Sequence, residues 1–315
     1  NIFTVRYTTD YGWFEVDNYE ILPPDSWTSG EIRIEMILDV ADPAMSMYNK
    51  EIHGEDFNAS WPVLEFKLSS QHSMYSYSYL KDLRIEECKI NVEVNNSTDL
   101  HVFNDLGKLD ISKPFYPFGS TPDLGSYFLV GNKEMLLKNI QNFSLDIHWH
   151  NLPKMKGGFK EFYKEYNTEV KTESFKVGVT GLSDFRFHPV DETDIQKINL
   201  FIDDRLKNTI SETTRFKDID LDKLELKPYY KEMDFSEYSA KTRSGFLKFE
   251  ILEPEFGFGH SEYPKLFANA ILEKSKSSAG LLSKEPKKVD LPIEPYSPQI
   301  RKISLNYAAS ASLKI

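Results

Sequence analysis

His148-Trp149-His150 is a place in this sequence where residue type and spacing could do chemistry. Side chains two apart on a strand share a face, so two imidazoles there could reach one metal ion. A third ligand is not evident nearby, and the plainer reading is a half-exposed strand end with Trp149 in the core. A second stretch is Phe258-Gly259-His260-Ser261-Glu262. A catalytic His–Ser pair needs an acid to orient the base and an oxyanion site, and no G-x-S-x-G elbow accompanies it. Ser261 reads instead as the N-cap of a helix whose first turn tolerates Pro264. Tyr75, Tyr77 and Tyr79 could stack on a sugar or cover a sheet face. With 49 acidic residues, Asp/Glu pairs must occur somewhere. A glycosidase dyad, however, is a spatial constellation that spacing alone does not reveal. P-loop, dinucleotide, H-E-x-x-H and EF-hand spacings do not occur. One cysteine, Cys88, rules out an internal disulfide and a Cys-rich zinc site, and fits a reducing interior. The expectation is therefore no catalytic residue, no cofactor and no metal.

The elements that must position these residues follow from composition and period. Apolar residues make up 40% of the chain and charged ones 28%, enough for a packed core. A net charge of −11 repels phosphate backbones and argues against a nucleic-acid partner. No apolar stretch approaches the roughly 18–20 residues of a membrane span. The chain opens at Asn1 on a strand-like run, Ile2 to Tyr7, without an initiating Met or leader, which suggests a piece of something longer.

Aromatic residues are about one in seven, a composition suited to pleated, half-buried surfaces. Two-residue alternation runs through Glu31–Leu38, Leu64–Leu68 and Lys89–Val94, bounded by turn formers. The predicted fold is mainly β, with two β-sandwich-like domains. Residues 1–104 form the first. Residues 105–126 are a junction, within which Pro114 to Ser126 packs three prolines, two glycines and three aromatics into thirteen residues. Residues 127–315 form the second, an α+β domain with short helices near 133–140, 159–166 and 262–274. Residues 191–239 read as an exposed charged excursion. Phe115, Phe118 and Phe128 should be buried, with Gly119 and Gly125 in turns.

Several stretches, taken in order, resemble one known family. They are Glu51-Ile52-His53-Gly54-Glu55-Asp56-Phe57, Trp61 to Phe66, and Asn104 to Phe115 running into Pro117-Phe118-Gly119-Ser120-Thr121-Pro122 and Gly125-Ser126-Tyr127-Phe128. Phe258 to Leu266 and Pro295-Tyr296-Ser297-Pro298-Gln299-Ile300 follow. The similarity is to the baseplate J-like wedge proteins of extracellular contractile injection systems, the phage-tail-like particles of bacteria. It spans roughly residues 50–310, and residues 1–50 lie outside it. The resemblance implies a structural subunit with other baseplate components as partners: wedge, hub or spike, sheath and fibre, in a larger hetero-oligomeric ring. It implies assembly in the bacterial cytoplasm, then a place in a released or extracellular particle. Its motif positions here, structural or interfacial, are Phe115, Pro117, Phe118, Gly119, Gly125, Phe128, Phe258, Gly259, His260, Tyr263 and Pro264. No catalytic residues come with it. A carbohydrate-binding module or surface adhesin is the alternative, and a polysaccharide-degrading enzyme the third reading. A coplanar exposed aromatic strip would favour the alternative. A deep cleft with paired carboxylates, one of raised pKa, would favour the third.

Overall fold

A computed structural model describes residues 3–22, 31–39, 41–54, 56–59, 61–68, 84–166, 169–227, 229, 234–279 and 291–314. Tyr75, Tyr77 and Tyr79 lie outside the described residues. The chain divides into two compact units, Asn1–Glu86 and Glu87–Ile315.

The first unit is a small two-layer β structure. Strands β1 (Phe3–Thr9), β2 (Gly12–Glu15), β3 (Tyr19–Leu22), β4 (Arg33–Met36) and β5 (Leu64–Leu68) make a β2-β1-β5 sheet and a β3–β4 hairpin. Alternation in β1 sends Val5 and Tyr7 inward, where they meet Val16 and Tyr19 with Ile34 and Met36 against them. Arg6, pointing the other way, pairs with Glu65 and lies 4.3 Å over the Trp13 ring. A helix the periodicity does not predict, Lys50–His53, is capped by Asn49 and closed by Gly54 at φ +74°. Four residues are too few to show a 3.6-residue period, so only the caps could have signalled it.

The second unit holds β6 (Glu87–Ser97), β7 (His101–Asn104), β8 (Gly107–Lys108), β9 (Tyr127–Gly131), β10 (Ile140–His150), β11 (Lys176–Ser183), β12 (Arg186–His188) and β13 (Gln196–Asn199). It continues with β14 (Asp203–Asp204), β15 (Thr209–Ile210), β16 (Thr213–Phe216), β17 (Phe246–Glu253) and β18 (Gln299–Lys314). Among the described residues these form a β16-β10-β18-β6 sheet, a larger sheet ordered β12-β11-β17-β9-β7-β8 with β13 on β11, and a small β14–β15 hairpin. The helices are Lys133–Leu137, Gly158–Phe162 and Tyr263–Ala279. The molecule is mainly β, with 40% strand against 14% helix, well below the one-third helix of an average globular protein.

The two larger sheets of this unit face each other. Leu145 and Ile147 of β10 and Ile303 and Leu305 of β18 meet Val177, Val179, Leu247, Phe249 and Ile251 in one buried cluster. Phe216 and Phe249 stand 5.5 Å apart, centroid to centroid, across it. Period two in β17 also explains a second layer on the outer side of the larger sheet. There Phe246 packs with Phe103, Leu129, Leu136, Leu182 and Phe235.

Two sequence expectations are corrected here. The division falls at Glu86/Glu87, and residues 105–126 lie within the second unit. β6 ends up beside β18 at the far end of the chain, and β7 beside β9. Alternation marks a strand but not its neighbour, so the change of texture at the prolines looked like the boundary. The excursion at 191–239 is also not simply exposed: Leu200, Phe201, Ile210, Phe216, Ile219, Leu224 and Phe235 are buried. Its single apolar anchors fit neither period because each drops into a core built by distant strands.

Candidate functional site

The segments 115–128, 258–264 and 293–300 come together in the second unit. Phe115 exchanges both backbone hydrogen bonds with Ile300, its N–H donating at 3.0 Å and its carbonyl accepting at 2.9 Å. Ser297 Oγ donates to the Ser120 carbonyl at 2.6 Å. Gly125 N–H donates to the Ile251 carbonyl, and Ile251 N–H to that of Ser126, each at 2.9 Å. Phe115, Pro117, Phe118 and Phe128 are buried, while Gly119 and Gly125 have φ of +80° and +83°. Prolines stiffen this strap, so its aromatics lose little entropy on burial.

A layer of rings lies beneath the strap. Phe258 stacks on Phe175 at 4.6 Å, and Phe159, Phe201, Tyr163 and Tyr296 surround them, each within 6.2 Å of at least two other rings of the set. A second run links Phe118 to Phe128 at 5.2 Å and Phe128 to Phe249 at 5.0 Å. The tyrosine hydroxyls are spent on the backbone: Tyr163 donates to Phe258 at 3.0 Å, Tyr166 to Ile293 at 2.7 Å and Tyr296 to His150 at 3.2 Å. Burial raises the pKa of all three, keeping them protonated as donors.

His260 touches a serine, but not Ser261. Its Nε2 lies 3.1 Å from Ser297 Oγ. Because the Ser297 hydroxyl proton points to Ser120, its oxygen accepts from the imidazole, and His260 is not placed to activate it as a base. The pair ties the helix-entry turn to the strap. Ser261 does not cap the helix either. Glu262 and Tyr263 N–H both donate to the Gly259 carbonyl, at 3.2 and 2.9 Å, and the helix begins at Tyr263. Tyr263 packs against the main core, whereas Pro264 is exposed.

Desolvation lowers the His260 pKa below its usual 6.5, opposed by hydrogen bonding to the Tyr296 backbone and by the charge of Asp123. The neutral form is thus favoured in the folded state. The stability it contributes is fully present above pH about 6.5 and is lost as pH falls from there through the depressed folded value. Urea midpoints measured from pH 7.5 to 5 should fall less steeply in His260→Gln than in the parent. Parallel slopes would show that His260 is not the group responsible.

His148 and His150 sit where expected, at the end of β10, with Trp149 buried between them. Trp149 Nε1 donates to Thr214 Oγ1 at 2.9 Å, and its ring lies 4.7 Å from that of Phe201. His148 is exposed, and a register shift between it and Trp149 follows from Arg301 bulging out of β18. Nearby, Asp146 is held below the usual carboxylate range, first by its hydrogen bonds to the Arg215 guanidinium. Among the described residues no three His, Cys, Asp or Glu side chains gather as a ligand set. Among them, too, no helix is long and apolar enough to cross a membrane.

The motif residues therefore converge, but on a packed joint and not on a cleft. Tyr163, from the 3–4 spaced stretch near 159–166, and Phe175, which opens a strand-like run, complete that joint together with Phe201. The only sequence hint for Phe201 is Leu200-Phe201, an apolar pair inside a charged stretch. Comparison of the chain with family models and with curated proteins finds no match.

Proposed function

We propose that this chain is a structural subunit of the baseplate wedge of a contractile injection system, joining spike or hub, sheath and fibre components through protein–protein contacts and performing no catalysis. The observation that carries this reading is the convergence of three recognised segments, far apart in sequence, on one buried joint. In it, tyrosine and serine hydroxyls are committed to backbone carbonyls and the imidazole to the Ser297 hydroxyl. Residues kept for this purpose fix shape, which is what an assembly subunit requires. In this reading the protein is made and assembled in the bacterial cytoplasm and then carried in the released particle.

The rival readings find less support. In the first unit, Phe57 stands edge-on to Trp13 and Tyr48, with interplanar angles of 74° and 82°, unlike a flat sugar-binding platform. Among the described residues, each carboxylate with a displaced pKa is displaced downward, by neighbouring Lys, Arg, hydroxyl or backbone groups. A glycosidase acid would be displaced upward.

The test is deletion of the gene in the bacterium that carries it, followed by negative-stain microscopy of released particles. Loss of intact contractile particles, restored by the parent gene, is the expected result. Normal assembly and contraction would overturn the wedge reading and leave the adhesin in its place.

A further inference from the structure

β6 and β18 form a two-stranded ribbon that outruns the rest of its sheet. β10 accompanies β18 only as far as Ile140 against Ala309, whereas β6 follows it to Glu87 against Lys314. Directly opposed residues point to the same side of a sheet. One side of the ribbon continues the inward face of the sandwich: Val94 with Tyr307, Val92 with Ala309, Ile90 with Ala311, Cys88 with Leu313. The other side is polar, carrying Glu87, Lys89, Asn91 and Glu93. Tyr307 and Ala309 are buried, but beyond them the apolar side is uncovered, with Ile90 at 50% and Leu313 at 65% exposure. Among the described residues β18 is the single partner of β6, so the other edge of this eleven-residue strand presents unpaired N–H and C=O groups. Edges of that length without a proline are templates for another strand.

We propose that the occupant of this edge is a second copy of the same chain, paired antiparallel to β6 about a twofold axis through Asn91. An axis normal to the sheet keeps the two apolar stripes on one side, so only registers that oppose residues of the same face are allowed. Charge then chooses among them. Centring on Ile90 sets Glu87 against Glu93 twice, and centring on Lys89 sets two lysines together. Centring on Val92 leaves Lys89 facing Asn95. Centring on Asn91 places Lys89 opposite Glu93 at both ends, with Ile90 opposite Val92 and Cys88 opposite Val94. All these residues lie in the regular part of β6, short of the irregularity where Leu305 and Tyr307 skip from Ser97 to Val94. The joined sheet would run unbroken through both copies, and its apolar stripes would cover each other's flanks. This surface does not depend on the wedge reading.

Charge reversal tests it on the whole chain. Sedimentation equilibrium should find a reversible dimer for the parent. Lys89→Glu and Glu93→Lys should each weaken it by about tenfold or more, because each creates two like-charge pairs across the axis. The double variant Lys89→Glu/Glu93→Lys should recover most of the loss. In a Cys88→Ser background, Asn91→Cys should form a disulfide-linked dimer under mild oxidation, since the two positions face each other at a bridgeable separation. Lys89→Cys, four positions out of register with its own copy, should not. A chain that stays monomeric, a double variant no better than the singles, or equal cross-linking at 89 and 91 would each overturn the proposal.

Discussion

Phe258→Ala should lower the unfolding free energy of the Glu87–Ile315 unit by about 3–5 kcal/mol, the usual cost of emptying a fully buried phenylalanine site. Phe258 is 0% exposed and stacks on Phe175, with Phe201 and Tyr296 edge-on to it at 6.2 Å. None of these rings can follow the vacated space without releasing another partner. Tyr163 and Tyr166 are tied by their hydroxyls to backbone carbonyls, and Phe201 is wedged against Trp149. The cavity should therefore persist, which puts the loss at the upper part of that range. Trp149 is the sole tryptophan of this unit, so with Trp13, Trp27 and Trp61 replaced by Phe its fluorescence follows the urea unfolding of the unit. Phe118→Ala, which empties the second run of rings, should fall in the same range. A loss under about 1 kcal/mol in either variant would mean that the joint collapses around the gap and is not the rigid element assigned to it.

Gly259→Ala is expected to cost about 2–4 kcal/mol, more than a methyl group usually does. Gly259 has φ +85°, a backbone conformation that L residues avoid at a cost of about 1 kcal/mol or more. Its added Cβ would lie 2.8 Å from Cε1 of Tyr166, and overpacking of this kind adds about 1–3 kcal/mol. Tyr166 cannot swing away freely, since its hydroxyl holds the Ile293 carbonyl. The same urea experiment measures the effect. Gly119→Ala is the control: its φ is +80° but nothing lies within 4 Å of the added carbon, so only the conformational part of the cost should remain. Equal losses in the two variants would remove the steric part of this account.

The strands near 31–38, 64–68, 89–94, 143–149 and 246–252 were legible because each keeps period two long enough to define a wet and a dry face. The three helices of the second unit were legible from the apolar side made by Met135, Leu136 and Ile140, from the 3–4 spacing of Phe159, Phe162, Tyr163 and Tyr166, and from the stretch Glu262 to Lys274. Burial of Phe115, Phe118 and Phe128 followed from chemistry too, since rings in a proline-stiffened loop gain more from burial than they lose in freedom. His260 was singled out for its neighbours in sequence, yet its partner is Ser297, 37 residues away, because the turn at Gly257 and Gly259 aims it at the strap.

Residue order alone determined the mainly β character, the positions of most elements and the aromatic make-up of the joint, because these depend on local periodicity and side-chain size. Tertiary structure alone decided that β6 joins β18 and moves the division to Glu86/Glu87. It likewise decided that Phe201 and Phe235 of a charged stretch become core, and that the ribbon's apolar side runs past the rest of its own sheet and is left exposed. Strand pairing and burial at such isolated anchors are set by contacts between residues distant in sequence. The pattern of any one segment contains no record of its partner.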